Sequence, residues 1–324
     1  MMELVSTPQN PAPLGATVGA LEIPRRFRKP VQVRYAHWPS GLKERHGTVC
    51  IFPGRSEYIE KYFEVVGDLR RRGFYVVAID WRGQGGSTRL TRNPLKGHVR
   101  SFDDYQTDLS RLMNDVVLPD CPPPYYALAH SMGGTIALKA ATMRGSWFER
   151  MVLSAPMIRI KGLPGSDAFT AKVTGAISAF GLGRVAVPGG MKVYRDSQIF
   201  EGNILTTDAE RFARNLSVLR VAPELAVGAP TFGWVRAALV ALREINDQEF
   251  ARRLRVPVVM LAAGHDQIVS SSAIESFADR CRLGSQIVLR GSEHEILQER
   301  DPIREEFWAA FDAFVPGAKI KRSA

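Results

Sequence analysis

Three residues far apart in the chain have the types that nucleophilic acyl chemistry requires: Ser131, Asp266 and His294. A serine hydroxyl is a weak nucleophile. It needs a base to take its proton, and the base needs an acid to fix its ring. Ser131 lies in Tyr125-Tyr126-Ala127-Leu128-Ala129-His130-Ser131-Met132-Gly133-Gly134-Thr135-Ile136-Ala137, which reads as a short apolar strand, a tight turn and a helix. Small residues crowd that turn: Ala129, Gly133 and Gly134. Such a corner pushes the serine hydroxyl out of the sheet, with Ala129 standing where a glycine is usual. The helix that follows leaves backbone N–H groups free to meet negative charge. Five-residue patterns recur by chance, so the turn alone is balanced by an ordinary strand–turn–helix reading.

What must hold these residues is an alternation of strands and helices. Val31 to Trp38 alternates as a strand, and Thr48 to Phe52 is an apolar, central one. The latter ends in the turn Pro53-Gly54-Arg55-Ser56-Glu57. A helix then places Tyr58, Tyr62, Val65, Val66 and Leu69 on one face, and Gly73 closes it. Phe74 to Ile79 is a continuous apolar strand, as in a sheet covered on both faces. It runs into Asp80-Trp81-Arg82-Gly83-Gln84-Gly85-Gly86-Ser87. That segment lacks the Lys-Ser/Thr of a phosphate loop, so it reads as a structural turn beside the site. A helix opened by Ser101-Phe102-Asp103-Asp104, the Ser131 strand and helix, and a strand from Met151 to Ala155 follow. The order predicts a mostly parallel sheet wrapped by helices.

From Pro156 to about Asn246 strands are lost and helical patterns run on, which predicts an inserted cap over 156–246. Within it Phe169, Val173, Ile177 and Phe180 share one helical face. Packing against the core is the expected role of that stripe, ahead of contact with an acyl chain. Val256 to Leu261 resumes the sheet, with His265-Asp266 just after it. Ser272 is expected to cap the next helix, Gln286 to Leu289 is the last strand, and Pro302 to Val315 the last helix. The division is therefore a leader over 1–22 without fixed structure, a core over 23–155 and 247–318, and the cap.

Ser131, Asp266 and His294 each follow a strand directly, where parallel sheets gather functional groups. Of six histidines only His294 follows the last strand; His130 is expected to turn into the sheet flank. Taken singly, each residue suits an ordinary loop. Together, in the order Ser, Asp, His, they form a triad. The oxyanion hole is assigned to the amides of Met132, after the nucleophile, and Arg55, after the second strand. The chemistry calls for no metal and no organic cofactor.

With 324 residues the chain can bury a large core. Three scattered cysteines have no metal spacing and suit a reducing compartment. Neither a secretory signal nor a membrane-spanning run is evident, so a cytoplasmic location is expected. The net charge of +10 gathers at Arg25, Arg26, Arg28 and Lys29, at Arg70 to Arg72, at Arg252, Arg253 and Arg255, and at Lys319, Lys321 and Arg322. Solvated helix ends and tails account for most of this. Peripheral attraction to an anionic membrane comes second, and nucleic acid is set aside because no recognition motif accompanies the charge.

From Val31 to the last helix the sequence resembles the α/β-hydrolase branch of monoacylglycerol lipases and bacterial lysophospholipases of the L-two type. The likeness rests on Pro53-Gly54-Arg55 with Glu57 and Lys61-Tyr62, on Asp80 to Gly85, on Gly97-His98-Val99, on Ala129 to Gly134, on Ser154 to Met157 and on His294 to Leu297. In the cap it rests on Asn203 to Thr206, Arg214 to Leu216 and Pro230 to Val235. Monoacylglycerol lipases usually carry His-Gly where this chain has Pro53-Gly54, which favours the lysophospholipase side. The resemblance implies hydrolysis of a single-acyl lipid ester at the cytoplasmic face of the inner membrane. An exopeptidase of the same fold is the nearest rival; it needs a cap carboxylate for a substrate ammonium, with Asp167, Asp196, Glu201, Asp208, Glu210 and Glu224 available. A non-catalytic binder is the third reading, weakened by the complete triad.

Overall fold

The structure, a computed structural model, describes residues 3–26, 28–43, 45–142, 146–196 and 198–317. The basic tail at Lys319, Lys321 and Arg322 lies outside the described residues. Eight strands form one sheet: β1 (Thr17–Arg25), β2 (Arg28–Trp38), β3 (Thr48–Phe52), β4 (Tyr75–Ile79), β5 (Tyr125–His130), β6 (Arg150–Ser154), β7 (Val258–Ala263) and β8 (Gly284–Leu289). Their spatial order is β1-β2-β4-β3-β5-β6-β7-β8. The β1–β2 and β2–β4 pairs are antiparallel, and the rest of the sheet is parallel. The residues of β3 and β7 are all buried, as expected of strands with helices on both faces. At the open edge β8 leaves Ile287 and Val288 exposed.

Eleven α-helical segments occur among the described residues: α1 (Phe63–Arg71), α2 (Asp103–Leu112), α3 (Leu118–Asp120), α4 (Met132–Ala141), α5 (Asp167–Ala179), α6 (Gly190–Asp196), α7 (Ala209–Val221), α8 (Phe232–Ile245), α9 (Gln248–Arg253), α10 (Ser271–Ala278) and α11 (Asp301–Phe314). Helix α1 packs on β4, α4 on β3 and β5, α10 on β7 and β8, and α11 on β8. The apolar face expected of α1 is the buried one, with Val65, Val66 and Leu69 fully covered.

Three expectations need correction. The leader over 1–22 is not without structure: residues 17–22 lie in β1, paired to β2 across Leu21 and Val33. Ahead of that, Thr7 and Asn10 are buried; the Asn10 side chain donates to Glu60 O at 2.8 Å, and Trp38 Nε1 donates to Pro13 O at 3.1 Å. Polar and proline-rich composition concealed this because the segment is held by hydrogen bonds more than by an apolar stripe. The stripe on α5 does not pack: Phe169 is 58 % exposed and Phe180 84 %, while Thr170 and Thr174 are buried. Those threonines spend their hydroxyls on Pro164 O and Thr170 O, so a polar face can turn inward. Ser270, not Ser272, caps α10, accepting from Ala273 N at 3.2 Å. Helix α8 packs on both α4 and α5 with nine of its residues buried.

Candidate active site

Ser131 directly follows β5 and stands at the N-terminal boundary of α4 with φ 49 and ψ −116, a conformation that non-glycine residues rarely adopt. Three backbone bonds hold it there. Ser131 N donates to Ser154 O at 3.0 Å, and Ser131 O accepts from Gly134 N and Met157 N, both at 2.9 Å. The crossing at Gly133 is so close that a Cβ there would lie 2.1 Å from Phe52 O, and at Gly134 a Cβ would meet Pro156 Cβ at 2.7 Å. The small residues seen in the sequence are therefore a steric requirement of the turn. Ala129 is fully buried in β5, which pairs with β3 on one side and β6 on the other.

The three sequence-predicted residues converge. His294 Nε2 lies 3.0 Å from Ser131 Oγ, and His294 Nδ1 lies 2.7 Å from Asp266 Oδ2. The other oxygen of Asp266 accepts the amides of Ile268 and Val269, each at 2.8 Å. Burial alone would raise the Asp266 pKa; the bond to His294 and the two amides outweigh it and hold the carboxyl below its ordinary value. Ser131, Asp266 and His294 are 7 %, 3 % and 4 % exposed, so the constellation is shielded from bulk water. It sits at one rim because β5, β7 and β8 run parallel and each ends just before its contribution.

The loop after β3 reaches the same rim. A Cβ at Gly54 would stand 3.2 Å from Ser131 Cβ. Neither the Arg55 nor the Met132 amide donates to an acceptor among the described residues, which leaves both free for an oxyanion. The loop is held from below. Gly54 N and Tyr62 Oη donate to Glu57 Oε2, Lys61 Nζ lies 2.9 Å from Glu57 Oε1 and also pairs with Glu295, next to His294. Burial would raise the Glu57 pKa, but Lys61, His130 and Tyr62 bring it down to about 2. From the side, Trp81 Nε1 donates to Pro53 O at 2.9 Å and Gln84 Nε2 to Gly54 O at 2.7 Å. The glycine-rich stretch after β4 is thus the structural brace its sequence suggested. Gly85, at φ 54, gives room to the Asp80 carboxylate, which accepts from Arg34, Ile59 N and Gly86 N.

Two features were not legible in the sequence. His130 does not simply turn into the sheet flank; its ring centroid lies 4.8 Å from that of His294. The sequence points to Arg55 only through its backbone amide. Its side chain turns toward the start of α8, where Nη2 donates to Gly228 O and the guanidinium lies 5.2 Å from the Trp234 ring. Gly97-His98 meets the same segment: Gly97 N donates to Ala229 O, Thr231 N to Gly97 O, and His98 Nδ1 lies 2.8 Å from Thr231 Oγ1. Only the adjacency of small and aromatic residues in Pro230 to Val235 hinted at this seam.

A buried Ser–His–Asp relay on the rim of a mostly parallel sheet defines a molecule of the α/β-hydrolase fold. The chain belongs to the hydrolase family described as serine aminopeptidase, S33, which matches residues 43–301. It is 32% identical over 285 residues to lysophospholipase L2 of Escherichia coli strain K12, covering 85% of this chain and 81% of that protein. It is 26% identical to phospholipase YtpA of Bacillus subtilis, covering 82% and 93%. Among solved structures, a soluble variant of the Saccharomyces cerevisiae monoglyceride lipase superposes with a TM-score of 0.71 at 18% identity, covering 94% of this chain and 97% of that one.

Proposed function

We propose that the protein is a serine ester hydrolase that cleaves a single-acyl lipid, a lysophospholipid first and a monoacylglycerol second, releasing free fatty acid. The observation that carries the reading is the relay from Asp266 through His294 to Ser131, at 2.7 and 3.0 Å. Ser131 attacks the ester carbonyl while His294 Nε2 takes its proton. Asp266 keeps the imidazole in the right tautomer and stabilises the imidazolium. The amides of Arg55 and Met132 receive the oxyanion, each contributing about 3 kcal/mol of transition-state stabilisation. His294 then protonates the leaving alcohol, and a water activated by the same imidazole clears the acyl-enzyme. No step calls for a metal or an organic cofactor.

The choice of lipid follows the similarity to lysophospholipase L2, which extends through the insertion as well as the core. The exopeptidase reading is disfavoured by charge. Asp167 pairs with Arg159, Asp208 pairs with Arg211, and Glu201, Glu210 and Glu224 are exposed; the carboxylate against the oxyanion loop, Glu57, is already paired with Lys61, Arg55 in that loop is a cation, and the side chain of Asp196 lies outside the described ones. Peripheral contact with an anionic membrane is part of the proposal. No helix of the described residues is long and apolar enough to cross a membrane. The insertion, however, exposes Phe169, Phe180, Leu182, Val185 and Ile199. Residues 159–200 also carry six basic side chains against two acidic ones. Exposed apolar side chains set among basic ones suit an anionic lipid surface.

The test is a panel of lysophospholipids, monoacylglycerols of the same acyl chain and aminoacyl naphthylamides, assayed with purified protein and a Ser131→Ala control. Fatty acid release above that control, with lysophospholipid turned over fastest, is expected. Preference for the amide overturns the assignment.

A further inference from the structure

Arg55 is unusual among the basic side chains near the site. Arg34 pairs with Glu60 and Asp80, Arg82 with Asp108, and Lys61 with Glu57 and Glu295. Among the described residues no carboxylate pairs with Arg55. Its one hydrogen-bond acceptor is the carbonyl of Gly228, and its Nε is buried with none. A guanidinium presents five donors in a planar fork, so most of them are unspent here. Burial draws its pKa down to about 10, which still leaves it charged at neutral pH.

Its position makes this more than an internal brace. The backbone of Arg55 adjoins Gly54, whose Cβ position is 3.2 Å from Ser131 Cβ. The side chain extends from there to the insertion, against Gly228 and Trp234, and its Nη2 would lie 3.1 Å from a Cβ at Gly97. The uncompensated cation therefore reaches from the loop beside Ser131 to Gly228 and Trp234. In a lysophospholipid the phosphate and the ester are joined by the glycerol backbone alone, a span comparable to an arginine side chain. Planar, bidentate recognition of phosphate is what a guanidinium does well, and a half-buried cation lacking a counter-charge is relieved by an anion that arrives with the substrate.

We propose that the Arg55 side chain is the headgroup anchor of the site, receiving the phosphate of a lysophospholipid while the ester lies over Ser131. The inference rests on the proposed single-acyl lipid esterase activity and names what that site selects. A monoacylglycerol has no anion to offer, so it occupies the same site without this contact.

The experiment compares kcat/KM for a lysophosphatidylglycerol and a monoacylglycerol of identical acyl chain, in the full-length protein and in its Arg55→Met and Arg55→Lys variants. Both variants keep the backbone amide assigned to the oxyanion, and labelling of Ser131 by a fluorophosphonate reports that each is folded. Losing a hydrogen bond to a charged group should lower the lysophospholipid-to-monoacylglycerol ratio roughly 10- to 100-fold in Arg55→Met, chiefly through KM, with partial recovery in Arg55→Lys. An equal fall for both substrates, leaving the ratio fixed, overturns the anchor and makes Arg55 a latch between loop and insertion. Inorganic phosphate is the second arm. Competitive inhibition by phosphate that vanishes in Arg55→Met, with no change in the lipid ratio, assigns the cation to free phosphate and overturns the headgroup reading. If the unaltered protein hydrolyses neither lipid, the esterase assignment itself fails, which is a separate result from a fixed ratio.

Discussion

Ser131 keeps its hydroxyl over the rim only while Ser154 O, Gly134 N and Met157 N hold its backbone at φ 49. At this scale the relay makes two predictions. Ser131→Ala should lower kcat by about a million-fold, and Asp266→Asn by about ten thousand-fold, the latter because the imidazole takes the wrong tautomer. Steady-state ester hydrolysis checks both; an Asp266→Asn loss of only a few-fold would contradict the role given to that carboxylate. His130 carries a third prediction. Burial lowers its pKa, Glu57 pulls it back up and His294 lowers it again, for a value of about 4. In the unfolded chain histidine titrates near 6.5. As pH falls the unfolded chain therefore takes the proton first, and stability is lost between about pH 6.5 and pH 4, on the order of 3 kcal/mol in all. Urea midpoints measured across that range should fall with pH, and the slope should flatten in His130→Gln. An unchanged slope there would place the titration elsewhere.

Among the elements, the loop after β3 and the loop after β8 are tied through one lysine. Lys61 bridges Glu57, which holds the Gly54 amide, and Glu295, which follows His294. Its side chain is 9 % exposed. Lys61→Met leaves two buried carboxylates unpaired, and a cost of about 3 to 5 kcal/mol is expected. Denaturant unfolding measures it, and a loss under 1 kcal/mol would show that the bridge is dispensable. The elbow elements were readable from sequence because their requirements are local. Gly133 must be glycine where a Cβ would strike Phe52 O, and the strands ahead of Ser131 and Asp266 are plain apolar runs. The leader and the insertion were less readable. Asn10, Thr7, Thr170 and Thr174 are buried through hydrogen bonds whose partners lie elsewhere in the chain or one turn away, and composition records none of that. The inward turn of the Arg55 side chain likewise depends on where residues 228 and 234 come to lie, more than 170 positions on.

For the whole molecule, the parallel sheet does the convergence that no local pattern can. Ser131 and His294 are 163 positions apart, and it is the common direction of β5, β7 and β8 that brings their loops to one rim. Phe169 and Phe180 are exposed, in a stretch, 159–200, that carries six basic residues against two acidic ones. Sedimentation with vesicles should therefore be stronger for anionic than for neutral lipid, weaken with added salt, and weaken further in Phe180→Asp, whose folded stability should move by no more than about 0.5 kcal/mol. Equal binding to neutral vesicles at high salt would remove charge from the account.

The central claim is that Ser131 is the activated nucleophile of this chain. Mass spectrometry after treatment with a fluorophosphonate tests it most directly. The adduct should map to Ser131 alone, and its rate of formation should collapse in His294→Ala. A protein that stays unlabelled, or is labelled at another serine with His294 dispensable, would contradict the account.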